Sequence, residues 1–281
     1  IAKIDMMWHE NPKFLDNFKK IAPTLKRLYV TGGEPSIIKA NTDMINHLIE
    51  IGNKECHVSF TTNLTTWNID LYEKLSFFDK SEVQVSIDGY KKSQEYIRYG
   101  SAWEDIDRNF KKLIELPDKV RIQIYNVFQV YNIFESHKIM KWLDSLDLKR
   151  EVAFWPIIID QPLHLRATVI PYHIRDKAKE LYRDFYDYTS YNNRYLDLHG
   201  AANKIISYLE SDWEPHGSYK KYCQGVEQTE ANQKYMFYQY TNFMDKVRGH
   251  NFFETFPQFT ELKEEFKEVL EWKLEMPVCW V

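Results

Sequence analysis

The chain has 281 residues, 44 % of them hydrophobic, and a net charge of −4, which suits one large domain or two smaller ones with a substantial core. Lysine and arginine are spread along the chain, so the basic patch of a nucleic-acid-binding protein is not indicated, and no apolar run approaches the roughly 20 residues that span a membrane. Three cysteines, Cys56, Cys223 and Cys279, are too few and too far apart for a disulfide framework. A reduced, cytoplasmic protein is therefore expected.

The first 160 residues predict an alternation of helices and strands. Helical patterns occupy residues 12–25, 36–53, 68–78, 103–116 and 134–148, and strand patterns occupy residues 26–30, 57–63, 81–89, 121–130 and 151–159. Such alternation is typical of a parallel sheet with helices outside it. The expected fold class of this part is therefore α/β.

After Pro171 the sequence is charged, rich in tyrosine and helical. Helical patterns cover residues 171–211, 228–249 and 258–272, and Gly249 is expected to end the second of them. The aromatic side chains fit either packing of these helices or a surface on which a base stacks. The domain boundary is placed between residues 165 and 166.

Polar side chains recur where the predicted strands end, in residues 31–34, 61–63, 86–89, 129–132 and 156–160. Ligands bind at the carboxyl ends of the strands in parallel α/β folds. Turns between strands and helices also favour Asn, Asp, Ser and Gly, so any one position alone fits a structural role. The set as a whole predicts a binding site.

The end of the first strand is the most specific of these places. Gly32 and Gly33 allow a ligand to approach the backbone closely. Glu34 offers an acceptor to a cationic amine, and Pro35 suits the first turn of the next helix. A phosphate loop is excluded, because its lysine is missing and the acid would repel phosphate.

Four stretches resemble radical S-adenosylmethionine (radical SAM) enzymes. The segment VTGGEPSI, at residues 30–37, resembles their Gly-Gly-Glu motif, and TTNLT, at residues 61–65, resembles the end of the following strand. Residues 83–113 resemble the later Ser-x-Asp-Gly and Ile-Arg-x-Gly motifs, and residues 243–259 are similar to the C-terminal signature of twitch-domain radical SAM proteins. The resemblance implies a partial TIM-type (β/α)6 barrel over residues 1–165, without its first strand, and a helical substrate or cap region over residues 166–281.

The resemblance also implies a set of residues that bind SAM. They are Gly32, Gly33, Glu34, Asn63, Ser86, Asp88, Arg98 and Asn132. The glycines and the glutamate would contact the methionyl amino group, and the serine and the aspartate would bind polar atoms of the ribose or the methionyl part. The arginine would pair with the SAM carboxylate. The asparagines would approach SAM from neighbouring strands.

One element of the family pattern is missing. Radical SAM enzymes hold a 4Fe–4S cluster through a Cys-x-x-x-Cys-x-x-Cys loop, and this chain contains no such loop. The cluster ligands are expected upstream of Ile1, so that the chain is an N-terminally truncated piece of a longer protein. The alternative is a degenerate member that never had a cluster. The chain itself is assigned no metal ligand and no catalytic residue. The three cysteines are interpreted as structural, and a role of Cys223 or Cys279 in an auxiliary cluster is the alternative.

The function implied is reductive cleavage of SAM to a 5′-deoxyadenosyl radical, which abstracts hydrogen from a peptide or a small metabolite. An electron donor such as flavodoxin or ferredoxin would be a partner. One alternative is a non-catalytic remnant that binds SAM or a protein partner. Another is a TIM-barrel lyase or aldolase, but no lysine occurs at the predicted strand ends to form a Schiff base.

Overall fold

A computed structural model of the chain describes residues 8–146, 148–190, 196–212 and 229–271. Cys223 and Cys279 lie outside the described residues, so their predicted structural roles stay predictions. In the part that is described, all five predicted strands and the predicted helices between them are present. The boundaries differ from the predicted ones by a few residues, as is usual for element ends.

The five strands form one sheet in the order in which they occur along the chain. They are β1 (Arg27–Val30), β2 (His57–Thr62), β3 (Ser81–Ser86), β4 (Val120–Phe128) and β5 (Val152–Ile158). The pairs β1–β2, β2–β3 and β3–β4 are parallel. Parallel neighbours need a crossover connection, and each connection here contains at least one helix. The α/β fold class predicted from the alternation is thus confirmed.

The helices around the sheet follow the predicted pattern. They are α1 (Pro12–Ile21), α2 (Lys39–Glu50), α3 (Ile69–Lys74), α4 (Lys92–Ile97), α5 (Trp103–Leu113) and α6 (Ser136–Ser145). In α5, the buried side chains are spaced three or four residues apart, as in Trp103, Ile106 and Phe110. This spacing places them on one stripe of the helix. The acidic residues in the first turn of α5 and the basic residues in its last turn interact favourably with the helix dipole and stabilise the helix.

Strands β2, β3 and β4 have one apolar face and one polar face. The apolar face includes Val58, Phe60, Val83, Val85, Ile122 and Ile124, all of which are buried. Side chains alternate between the two faces of a strand, so the residues between these point to the opposite side. The register aligns Thr61 with Gln84 and Gln84 with Gln123 on that polar face.

The C-terminal part is helical, as expected. Its helices are α7 (Tyr172–Ser190), α8 (Leu196–Leu209), α9 (Glu230–Arg248), α10 (Phe252–Thr255) and α11 (Lys263–Glu271). Gly249, with φ of 65°, ends α9 in the left-handed conformation, as predicted. The predicted helix over residues 258–272 is instead a 3-10 helix at Pro257–Leu262 followed by α11.

The aromatic side chains of this part pack against one another. Phe252 stacks on Phe266 with ring centroids 5.5 Å apart, and Phe237 meets Phe266 edge to face at 5.7 Å. Both arrangements are the ones that aromatic quadrupoles favour. These contacts favour helix packing over the alternative of a base-stacking surface.

The chain divides into two compact units whose segments interleave in sequence. The first contains the described residues of Ile1–Ile87, Ser101–Tyr125 and Asp147–Ala153, and the second contains those of Asp88–Gly100, Asn126–Leu146 and Phe154–Val281. The boundary between residues 165 and 166 stays a prediction. Among the described helices, none has the length and apolar character required to cross a membrane.

A buried histidine on α6 makes the stability of the second unit dependent on pH. His137 is 6 % exposed, its ring lies edge to face against Tyr182 at 5.8 Å, and Nδ1 makes no hydrogen bond within the described part of the chain. Burial, with Lys141 and Lys138 nearby, lowers the pKa of His137 to about 3. In the unfolded chain the pKa is about 6.5.

We expect His137→Phe to reduce the loss of stability on acidification. Below pH 6.5 the His137 imidazole takes up a proton in the unfolded chain but stays neutral in the folded chain. The free energy of unfolding therefore falls by about 1.2 kcal/mol between pH 7 and pH 5.5 through this residue. In denaturant titrations, the free energy of unfolding of the variant should lack this contribution to its pH dependence. His173→Phe, at an exposed position, is the control, and equal pH dependence in both variants would contradict the assignment.

Candidate functional site

The turn after β1 leaves its backbone open. Gly32 and Gly33 have φ of 93° and 55°, in the left-handed region that favours glycine. A Cβ built on either glycine would meet no atom within 4 Å. The glycines are therefore required by the backbone conformation, and the space beside them is available to a ligand.

Glu34 joins the end of β1 to the end of β2. Its Oε1 accepts hydrogen bonds from Ser36 N at 3.1 Å, Ser36 Oγ at 2.6 Å and Thr62 Oγ1 at 2.9 Å. Its Oε2 accepts from Asn63 N at 2.8 Å. All of these donors are neutral, and a carboxylate has about four acceptor positions shared between its two oxygens. Oε2 therefore keeps a position for a further donor. We call these four residues the Glu34 cluster.

Neighbouring residues hold the Glu34 cluster in place. Tyr72 Oη donates to Thr62 Oγ1 at 3.2 Å, and burial, with the charge of Glu34 nearby, raises the pKa of Tyr72 to about 12. The phenol therefore stays protonated and acts as a donor. The side chain of Asn63 accepts from Thr65 N at 3.0 Å and from Thr65 Oγ1 at 2.7 Å. The side-chain oxygen of Asn63 therefore stabilises the loop that contains it, while the backbone N–H of Asn63 donates to Glu34.

In the second unit, Asp88 and Arg98 bind each other. Asp88 is 4 % exposed, and its Oδ2 accepts from Arg98 Nε at 2.7 Å while Oδ1 accepts from Val127 N at 2.7 Å. Burial raises the pKa of Asp88, and the Arg98 guanidinium and the Val127 amide oppose that rise. Both residues were predicted from the resemblance to bind SAM directly, and here each is the other's ion-pair partner.

Asn132 fixes the backbone around Asp88. It is fully buried, and its Nδ2 donates to Asp88 O and to Val127 O, both at 2.8 Å. Its Oδ1 accepts from Gln129 N at 2.7 Å. Both amide hydrogens are thus used within the protein, which suits a residue that positions Asp88. We call Asp88, Arg98, Asn132 and Val127 the Asp88 cluster.

The turn after Asp88 is packed backbone against backbone. Gln94 Oε1 accepts from Asp88 N at 2.8 Å and from Gly89 N at 2.9 Å. A Cβ on Gly89 would lie 2.6 Å from Gln94 N. Any side chain at this position would therefore displace the first turn of α4, which contains Gln94.

Sequence reasoning missed a polar network on the sheet. Tyr29 Oη lies 2.9 Å from Thr61 Oγ1 and donates to Gln84 Oε1 at 3.1 Å, while Gln84 Nε2 donates to Glu82. Ser86, which the resemblance predicts to bind SAM, ends β3. It lies two residues after Gln84, on the same face of the strand. The alternation of polar and apolar residues in EVQVS, at residues 82–86, and in RIQI, at residues 121–124, was the signal that could have identified this face.

No described residues form a group of histidine, cysteine or acidic side chains that could hold a metal ion. Cys56 is buried, and burial raises the pKa of its thiol. Iron is bound by the thiolate, which this environment disfavours. Cys56 therefore suits the structural role that the sequence predicted.

Comparison with known proteins gave a family whose model matches part of the chain. The family model of the Radical SAM superfamily matches residues 6–143, just under half of the chain. The comparison with curated proteins gave no match. The superfamily-level resemblance predicted from the motifs is thus confirmed, while the twitch-domain subgroup and the truncation stay predictions. All eight residues predicted to bind SAM lie in the matched segment, which is similar to a superfamily whose members generally use SAM and a 4Fe–4S cluster.

Proposed function

We propose that this chain is part of a radical SAM enzyme. The Glu34 cluster is the main support, because it combines an open glycine backbone with a carboxylate whose described donors are all neutral. The ammonium group of SAM would supply the cation that this carboxylate lacks. Hydrogen bonds between charged groups are shorter and stronger than neutral ones. Gly32, Gly33, Glu34 and Asn63 would therefore hold the amino end of SAM.

The Asp88 cluster has a different proposed role. Arg98 would pair with the SAM carboxylate, because a guanidinium matches a carboxylate geometrically and its side chain is 31 % exposed. Asp88 would orient that guanidinium, and Asn132 would position Asp88 through the backbone. Ser86 would contact the ribose or methionyl atoms of SAM.

Bound SAM and a 4Fe–4S cluster would supply the chemistry, which is the reductive cleavage of SAM and the abstraction of hydrogen from a substrate. The residues described here would bind SAM, orient it and exclude water. We propose a cytoplasmic enzyme that receives electrons from flavodoxin or ferredoxin and acts on a peptide or a small metabolite. Residues 166–281 would cap the substrate side.

The decisive experiment uses the complete gene product, reconstituted anaerobically with iron and sulfide and then supplied with SAM and dithionite. We expect 5′-deoxyadenosine, measured by liquid chromatography and mass spectrometry. A protein that is loaded with iron–sulfur cluster and binds SAM without forming this product would contradict the proposal. A protein that binds SAM but takes up no iron would instead support the non-catalytic remnant.

A further inference from the structure

A cavity of about 150 Å³ lies within the second unit, between α4, α9 and the turns that follow β4 and β5. Ile97, Leu165 and Met244 give it apolar walls, and tyrosines from three elements complete them. Gln129 and Arg248 are its other polar residues. A cavity of this volume holds a molecule of about the size of benzene.

Arg248 gives the cavity a positive charge. Its described partners are neutral: Nη1 donates to Tyr96 O at 3.2 Å, and the guanidinium lies over the Tyr99 ring at 5.2 Å. A guanidinium has five N–H donors, and one carbonyl and one ring use only part of that capacity. Arg248 can therefore bind an anion inside the cavity.

The acid beside Arg248 on α9 is directed elsewhere. Asp245 Oδ1 accepts from Tyr96 Oη at 2.8 Å, and Oδ2 accepts from Phe252 N at 2.7 Å. Asp245 does not line the cavity. Burial raises the pKa of Tyr96 and of Tyr131, so both phenols are neutral. The walls of the cavity therefore combine one cation with uncharged groups.

We propose that this cavity binds a small monocarboxylate with a ring-sized apolar group. Arg248 would pair with the carboxylate, as guanidinium groups do in bidentate geometry. The Met244 and Ile97 side chains would contact the apolar group, and a thioether adapts well to ring edges. The proposal goes beyond SAM chemistry, because neither cluster described above is needed for this binding.

The test compares benzoate with its neutral analogue benzamide by isothermal titration calorimetry on the full chain. Benzoate should bind at least about tenfold more tightly, because hydrogen bonds between charged groups are stronger than those between neutral groups. Arg248→Met should weaken benzoate binding to the level of benzamide. Lys246→Met removes an exposed cation two residues away on the same helix and should change nothing. Equal affinities for the two probes, or no benzoate binding at millimolar concentrations, would overturn the proposal.

A second variant covers the possibility that Arg248→Met does not fold. Met244→Trp should fill the cavity and abolish binding of both probes, and retained benzoate binding would also refute the site. The benzoate titration contains no SAM, and the measurement of 5′-deoxyadenosine contains no benzoate. Failure of the cavity proposal and failure of the radical SAM proposal are therefore distinguishable.

Discussion

Replacing Arg98 by methionine is expected to lower the free energy of unfolding by about 3 kcal/mol, the lower end of the cost of removing one partner of a buried ion pair, because the Arg98 side chain is itself 31 % exposed. Its partner Asp88 has a side chain only 5 % exposed and would keep its charge away from water. The Val127 amide would remain as a donor to Asp88, but a neutral donor offsets only part of that charge. Denaturant titration monitored by circular dichroism measures the change.

A matched variant separates this buried pair from surface charge. Arg108 pairs with Asp105 on α5, where the two side chains are 58 % and 40 % exposed. Arg108→Met should therefore cost less than about 1 kcal/mol. The double variant Asp88→Asn with Arg98→Met should recover part of the loss, since no unpaired charge remains. Similar losses in Arg98→Met and Arg108→Met would contradict the burial argument.

The pH dependence of the Arg98→Met variant has a definite sign. Burial already raises the pKa of Asp88 above its unfolded value, and loss of the guanidinium raises it further. A raised carboxyl pKa destabilises the fold at neutral pH. This penalty shrinks as pH falls below the folded pKa and disappears below the unfolded pKa of about 3.9. The difference in stability between wild type and variant should therefore shrink on acidification.

The sheet was predictable because its determinants are local. In β4, the buried residues Val120, Ile122 and Ile124 alternate with exposed or half-buried residues over positions 120–125, and a period of two has no helical interpretation. Gly249 ended α9 where expected, because a left-handed residue after a helix strongly favours glycine. The 3-10 helix at Pro257–Leu262 was missed, since its apolar spacing also fits an α-helix.

The sequence motifs pointed to Glu34 and Asp88 but not to the hydrogen bonds that hold them. Motifs identified Glu34 and Asp88, yet the donors that hold them include backbone N–H groups of Asn63 and Val127. Every residue except proline has such a group, so sequence contains no mark of which one will face a carboxylate. Likewise, the spacing of Asp88 and Arg98 in the sequence does not indicate whether the arginine pairs with this acid or with a ligand. Their contact was found only in the structure.

Glu34→Gln is expected to weaken SAM binding by about 10- to 100-fold, because a hydrogen bond to a charged group contributes about 1.5–3 kcal/mol. The substitution keeps one oxygen for Ser36 and Thr62 but directs an NH₂ group toward the N–H of Asn63. We therefore also expect a loss of about 1–3 kcal/mol in unfolding free energy. Titration calorimetry with SAM and denaturant unfolding measure the two effects separately.

A SAM analogue with hydrogen in place of the methionyl amino group assigns the first effect to a direct contact. Wild type should bind this analogue much more weakly than SAM, whereas Glu34→Gln should bind the two with similar affinity. Glu55→Gln, at an exposed glutamate paired with Lys26, should retain the wild-type preference. If Glu34→Gln still discriminates between SAM and the analogue as wild type does, Glu34 supports the turn but does not bind the amino group, because loss of structure alone would weaken both ligands alike.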